Sequence, residues 1–231
     1  MGQWNFRIAE ESATLQYAKE HLEKLGWIYD KSAKYLLLPV PTKCDHTDAL
    51  RCDTVIIGGN LNTGIYKDRK CIDLLQDPFY LAENAKITAY CAVKYALDRL
   101  PVILDGCPVL IVGWGRIGKC LGQLLGKMGA EVTVYARKEA DRAALVSLGY
   151  QTIASLENLE KFRVIFNTAP FMLLPKGTLQ EDQIKIDLAS KPGIEGDDVI
   201  WARGLPGKDA PESSGKLIAE TIERLRKEGL L

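Results

Sequence analysis

The stretch from Cys107 to Lys138, CPVLIVGWGRIGKCLGQLLGKMGAEVTVYARK, leaves this chain few folds to adopt. Val109 to Val112 is a short continuous apolar run, the pattern of a parallel strand covered on both faces. The chain then turns through Gly113-Trp114-Gly115-Arg116-Ile117-Gly118 into an amphipathic helix, and Glu131 to Ala136 supplies a second strand. A G-x-G-x-x-G string alone is a weak signal. Between a strand and a helix, with a second strand at this distance, it is the fingerprint of a dinucleotide-binding unit. Gly113 permits the tight turn, Gly115 lets backbone approach a diphosphate, and Gly118 lets helix and strand lie close together. The free N–H groups and positive dipole end of the helix then face the phosphates. Trp114, Arg116 and Ile117 complete the expected cofactor-binding turn.

The residue that bonds the adenosine ribose stands at the end of the second strand, and a carboxylate there selects NAD. Here the strand ends in Tyr135-Ala136-Arg137-Lys138, without a carboxylate. Arg137 and Lys138 suit a 2′-phosphate, the former with bidentate geometry, so NADP is expected in preference to NAD. The alternative makes both cations ordinary solvated residues.

The 231 residues, 47% hydrophobic and 26% charged, suffice for a substantial core in two lobes. Thirty acidic side chains balance thirty basic ones, which gives no global field to suit nucleic acid or an anionic membrane. The opening MGQWNFRIAE has no apolar signal core, and no run approaches the roughly 18 apolar residues of a membrane span, so a cytoplasmic location is expected. Six cysteines occur without a C-x-x-C pair and are expected to be reduced. Cys44, His46 and Cys52 are one ligand short of a zinc site, and no metal is expected.

In chain order, Trp4, Phe6 and Ile8 alternate as on a half-buried strand. Ser12 can cap a helix that carries Leu15, Ala18, Leu22 and Leu25 on one face and stops at Gly26. Further strands are expected at Trp27 to Tyr29, Tyr35 to Val40 and Thr54 to Ile57; Pro39 and Pro41 suit the second of these to an edge or a ligand-facing corner. After Asp77-Pro78 a long helix is expected from Glu83 to Leu97. Beyond the fingerprint come a helix stopped by Gly149 and strands at 150–153, 163–166, 184–188 and 199–202. Six strands counted from Val109 make a doubly wound parallel sheet, the Rossmann NAD(P)-binding form of the α/β class. A final helix starts near Pro211, with Ile218, Ile222 and Leu225 inward and Glu220, Glu223, Arg224 and Lys227 outward. The expected domains are therefore a small α/β domain at 1–82, which the helix at 211–228 is placed to join, and a nucleotide domain at 83–210.

Ligands of an open parallel sheet bind beyond the carboxyl ends of its strands. Three loops qualify: Asn167-Thr168-Ala169-Pro170, Asp187 to Gly193, and Arg203 to Lys208. Asn167 is a candidate to place its amide near the nicotinamide, with Thr168 and Ala169 beside the cofactor, or else to form a local turn. Lys191 and Arg203 are cations without obvious helical partners, as an anionic substrate requires. Asp187, inside an apolar strand, is expected to orient loops through hydrogen bonds rather than to transfer protons. Asn167 and Lys191 are thus the candidate catalytic positions, and Lys191, Arg203, Gly204 and Lys208 the candidate substrate contacts. His21 and His46 lie far from these loops in sequence. The absence of a convincing His–carboxylate pair weighs against the usual 2-hydroxyacid dehydrogenase chemistry.

The same segments resemble the family of dipicolinate synthase A subunits. The resemblance is carried by VGWGRIGKCLGQLLGKMGAEVTVYARK, FNTAP, IDLASKPG and above all GLPGKDAPESSG, and it covers about residues 80–228. The part before it looks shorter than the family's first domain. The resemblance implies NADP-linked oxidation of a dihydrodipicolinate-type ring to the aromatic acid, with a small dicarboxylate as substrate. It further implies partnership with a flavoprotein-like B subunit and, for location, the mother cell of a spore former. It leaves the catalytic base unnamed and a homo-oligomer open. Two other readings remain: a non-catalytic NADP-binding protein that has lost its substrate site, and a hydroxyacid dehydrogenase-like enzyme.

Overall fold

The computed structural model describes residues 4–47 and 50–231. In order, its elements are β1 (Asn5–Ile8), α1 (Ala13–Lys24), β2 (Ile28–Tyr29), β3 (Tyr35–Leu37), β4 (Val55–Gly58), β5 (Cys71–Asp73), α2 (Pro78–Leu97), β6 (Pro108–Val112), α3 (Arg116–Lys127) and β7 (Glu131–Tyr135). There follow α4 (Glu139–Ser147), β8 (Gln151–Ile153), β9 (Val164–Asn167), β10 (Ile184–Asp187), β11 (Ile200–Trp201), α5 (Leu205–Asp209) and α6 (Pro211–Lys227). The chain forms two compact units, one of residues 1–84 with 206–231 and one of residues 85–205.

The first unit holds a parallel sheet in the order β2-β1-β3-β4-β5. Of its inner strands, β3 and β4 are wholly apolar, as strands covered on both faces are, and β4 is buried throughout. Ser12 caps α1 by accepting from the Leu15 N–H, and Leu15, Ala18 and Leu22 face the core. Leu25 does not join them; it is the C-cap residue and stands exposed before the left-handed Gly26. Nor is β1 half-buried by alternation. It is flanked by β2 and β3, and Arg7 is buried as well, its Nε donating to the Ala33 carbonyl (2.8 Å) and its Nη2 to Thr54 Oγ1 (3.2 Å). β3 is the central strand rather than an edge, since its ladder ends at Leu37 and the prolines stand beyond it. β5 has no counterpart among the expected strands because three half-buried residues, Cys-Ile-Asp, give no period.

The long helix also starts earlier than its apolar pattern suggests. Asp77 accepts from the Tyr80 N–H (2.7 Å) and Pro78 takes the first helical position, where a missing N–H costs nothing. The Asp-Pro pair is a helix start, not a break.

α6 packs along α1. Gly215 makes this possible: a Cβ there would lie 2.6 Å from the Thr14 carbonyl oxygen and 2.7 Å from the Ala18 nitrogen. Glu223, expected outside, is buried. It accepts from Arg226 (2.7 Å at each oxygen) and from Trp27 Nε1 (3.0 Å), and Lys227 Nζ stands 3.4 Å away. These bonds, chiefly to Arg226, hold its carboxyl at about 2 against an ordinary 4.5. A carboxyl depressed on folding stabilises the fold above its unfolded value and loses that contribution as pH falls through the folded one. Glu223→Gln is therefore expected to lower thermal stability at pH 7 by about 1–3 kcal/mol. The gap should close between pH 4.5 and about 2, when the two proteins are melted side by side. A gap independent of pH would contradict the assignment.

In the second unit the sheet order is β11-β10-β9-β6-β7-β8, all parallel. Counted from β6 this is 3-2-1-4-5-6 read from one edge, the doubly wound dinucleotide order. Gly149 ends α4 in the left-handed region, and Leu110, Val112, Phe162, Ile165 and Leu174 form a core on one face of the sheet.

Candidate functional site

All six strands of the second sheet end in one row. Trp201, Asp187, Asn167, Val112, Tyr135 and Ile153 are register partners from edge to edge, each the last residue of its strand. The chain leaves central β6 toward β7 and returns on the other side as β9, so the topology reverses beside β6, where such sheets bind ligands.

The glycine turn follows Val112, and its glycines do different things. Gly113 has φ +103° and lies against Thr168, whose Oγ1 a Cβ would meet at 2.6 Å. At Gly118 a Cβ would stand 2.3 Å from the Gly113 carbonyl oxygen. At Gly115 it would meet nothing within 4 Å. Two glycines thus let protein approach protein, while the third opens outward at the N-cap of α3, which no side chain caps. A backbone aimed outward beside an uncapped helix N-terminus fits a dinucleotide diphosphate. Trp114 leaves the turn clear: its indole packs on Tyr150 (ring centroids 5.3 Å apart) and on Gly122 of α3. Arg116 is exposed and Ile117 half-buried.

Arg137 and Lys138 follow β7, both exposed. Their corner is held by Arg142 of α4, whose Nη1 donates to the carbonyls of Ala136 (2.8 Å) and Arg137 (2.9 Å). Arg142 is a site residue that the sequence motifs do not mark. Its one signal is a cation near the amino end of a helix, where the dipole disfavours it.

On the other side of β6, Thr168 donates through its backbone N–H (2.8 Å) and Oγ1 (3.1 Å) to the Val112 carbonyl, which fastens the loop to the glycine turn. Asn167 is buried, not open to a ligand: its Nδ2 donates to Asp187 Oδ1 (2.8 Å) and the Ala169 carbonyl (3.0 Å), and its Oδ1 accepts from the Ala169 N–H (3.1 Å). Asp187 accepts from that amide and from the N–H groups of Ala189 (3.0 Å), Gly193 (2.6 Å) and Ile194 (3.0 Å). It orients the loops as its place in an apolar strand leads one to expect, and a buried carboxylate satisfied in this way is a rigid post. Gly193 is obligatory beside it, for a Cβ would fall 2.3 Å from Asn167 Nδ2. On the second of the loops so held stands Lys191, after β10, and Arg203 with left-handed Gly204 follows β11; all three are exposed. Lys208 lies on α5 beyond the unit boundary.

In the first unit, His46 Nε2 lies 4.0 Å from Glu10 Oε2, and the His46 N–H donates to the Tyr66 hydroxyl (2.9 Å). This His–carboxylate pair joins residues too far apart in sequence to be seen there. Among the described residues no three His, Cys, Asp or Glu side chains gather as a metal ion requires, and no helix is long and apolar enough to cross a membrane.

Comparison with known proteins agrees with this geometry. Residues 89–186 match the NAD binding domain of the D-isomer specific 2-hydroxyacid dehydrogenases. The A subunit of dipicolinate synthase from Bacillus subtilis (strain 168) is 27% identical over 205 residues, 80% of this chain and 69% of its own length. The chain resembles the dipicolinate synthase A subunits. The crystal structure of the Bacillus halodurans A subunit superposes with a TM-score of 0.80 at 19% identity, over 97% of this chain and 99% of that one. A transhydrogenase from Sinorhizobium meliloti gives 0.77 at 16%, over 97% and 94%. The likeness in fold thus includes the N-terminal unit, beyond the motifs that mark it in sequence. The protein is NAD(P)-dependent oxidoreductase-like, with a nucleotide-binding domain of the 2-hydroxyacid dehydrogenase type.

The glycines separate folding from binding. Gly115→Ala is expected to leave thermal stability within about 1 kcal/mol of the parent and to weaken dinucleotide affinity strongly. Gly118→Ala should reduce both, because its Cβ meets backbone. Calorimetric titration beside a melting curve checks this, and undiminished affinity in Gly115→Ala would contradict the diphosphate assignment.

Proposed function

We propose that this chain is the NADP-dependent oxidoreductase component of a dipicolinate synthase, oxidising a dihydrodipicolinate-type ring to the aromatic dicarboxylate. The carrying observation is the carboxyl edge of the second sheet. There an open glycine turn, two exposed cations where NAD enzymes place a carboxylate, and the loops after β10 and β11 that bear Lys191 and Arg203 follow one row of strand ends. NADP would supply a nicotinamide that accepts a hydride as a proton leaves the ring. The chain's own part is binding and orientation. The backbone from Gly113 to Gly118 takes the diphosphate and Arg137 and Lys138 the 2′-phosphate. Thr168 and Ala169 border the cofactor, and Lys191, Arg203 and Gly204 are assigned to the carboxylates. Asn167 acts as a positioning residue, since its amide is engaged with Asp187 and Ala169. The resemblance to dipicolinate synthase extends the proposal to partnership with that enzyme's B subunit.

The reading requires ring oxidation with NADP by this chain reconstituted with a dipicolinate synthase B subunit; NADP binding without turnover in the reconstituted pair would count for the non-catalytic alternative. Arg137→Ala should raise the NADP dissociation constant by about tenfold or more while changing that for NAD less than about twofold, as loss of a charge-assisted pair implies. Equal losses for both would remove the case for NADP.

A second reading, a 2-hydroxyacid dehydrogenase, is favoured by the match of residues 89–186 to the NAD binding domain of those enzymes. Under that reading the parent protein oxidises 2-hydroxyacids with a nicotinamide cofactor; under the first, it does not turn them over.

A further inference from the structure

Trp201 is the last residue of a two-residue edge strand and is half exposed (49%), so its indole contributes little to the core. It is nonetheless fixed. Its Nε1 donates to the Ala189 carbonyl (3.3 Å), and Ala189 is itself held by Asp187 through its N–H. The Arg203 guanidinium lies over the indole, 5.4 Å from the ring centroid, within the range of a cation–π contact. The Arg203 N–H also donates to the Trp201 carbonyl (3.2 Å). One side chain thereby engages both loops that carry the candidate carboxylate-binding cations: the loop of Lys191 through Ala189, and Arg203 through the ring.

We infer that Trp201 is a positioning residue for a planar dicarboxylate, fixing Arg203 and the Lys191 loop so that two cations meet one anion at a set separation. The inference rests on the proposed substrate class and adds to it the residue that presets the anion site. Long cationic side chains lose much rotamer freedom when they grip a ligand. A guanidinium already lying on an indole, with its edge N–H groups free to form a fork, has lost part of that freedom beforehand. The Asp187 network makes the platform firm, since the carbonyl that receives the indole N–H belongs to a residue anchored on the buried carboxylate.

The test uses the full chain with NADP present and pyridine-2,6-dicarboxylate as the probe, titrated by calorimetry. Trp201→Ala is expected to raise the dissociation constant of the dicarboxylate about tenfold while leaving that of NADP within about twofold. Trp201→Phe, which keeps a ring for Arg203 and loses the indole hydrogen bond, should show an intermediate loss of about threefold. In a double-mutant cycle, Trp201→Ala added to Arg203→Ala should cost about threefold more rather than about tenfold, because only its hold on the Lys191 loop is then left to lose. Dicarboxylate affinity unchanged in both Trp201 variants, or losses that multiply independently in the cycle, would overturn the inference; a merely structural tryptophan would reduce NADP affinity along with it. Should Trp201→Ala not fold, the same cycle with Trp201→Phe decides. A parent protein that takes up NADP and no dicarboxylate would overturn the proposed substrate class itself, and this inference with it, which is a distinguishable result.

Discussion

The buried carboxylate of Asp187 is the constraint on which the ligand edge depends. It ends one of the inner strands, accepts four hydrogen bonds, and so binds the loop after β9 to the loop after β10. Charge-assisted bonds of this kind are strong, and a buried carboxylate without them would be prohibitively unstable. The arrangement is therefore close to all-or-none. With Asp187 satisfied, Asn167, Ala189 and Gly193 have one geometry, Lys191 projects from between the last two, and Arg203 is tied to the same base through Trp201.

The same close approach of backbone recurs through the chain. Gly113 and Gly118 let a turn fold against Thr168 and against itself, Gly193 admits the Asn167 amide, and Gly215 lets α6 touch the backbone of α1. At each of these a methyl group would strike backbone or a polar side chain that has nowhere to go. Gly115 differs because nothing in the protein opposes it. The contrast between glycines needed for packing and one needed for access separates a dinucleotide turn from an ordinary strand-to-helix connection.

Much of this is legible in the sequence because it is local. Apolar runs and glycine stops mark the six strands of the second sheet, Ser12 announces α1, and the alternation of strands with short connections points to the doubly wound topology. What the sequence hides lies in long-range pairing. Glu223 looks solvated by helical period and is buried because Trp27, 196 positions away, brings an indole N–H to it. Arg7 is buried in a flanked strand because the Ala33 carbonyl and Thr54 receive its guanidinium. His46 meets Glu10 across a loop that no periodicity describes. At the ligand edge, Asn167 stands out in the sequence as a residue of consequence, but whether its amide faces a ligand or a neighbour depends on Asp187, 20 positions on.

The glycine turn, the cationic corner and the loops bearing Lys191 and Arg203 thus follow one row of strand ends, and together they are proposed to form one ligand edge. A crystal structure of the full chain with NADP and pyridine-2,6-dicarboxylate tests that claim most directly. The diphosphate should lie against the backbone at Gly115 to Gly118, the 2′-phosphate at Arg137, and a carboxylate on Lys191 or Arg203. Dinucleotide bound elsewhere, or a dicarboxylate that contacts neither cation, would contradict it.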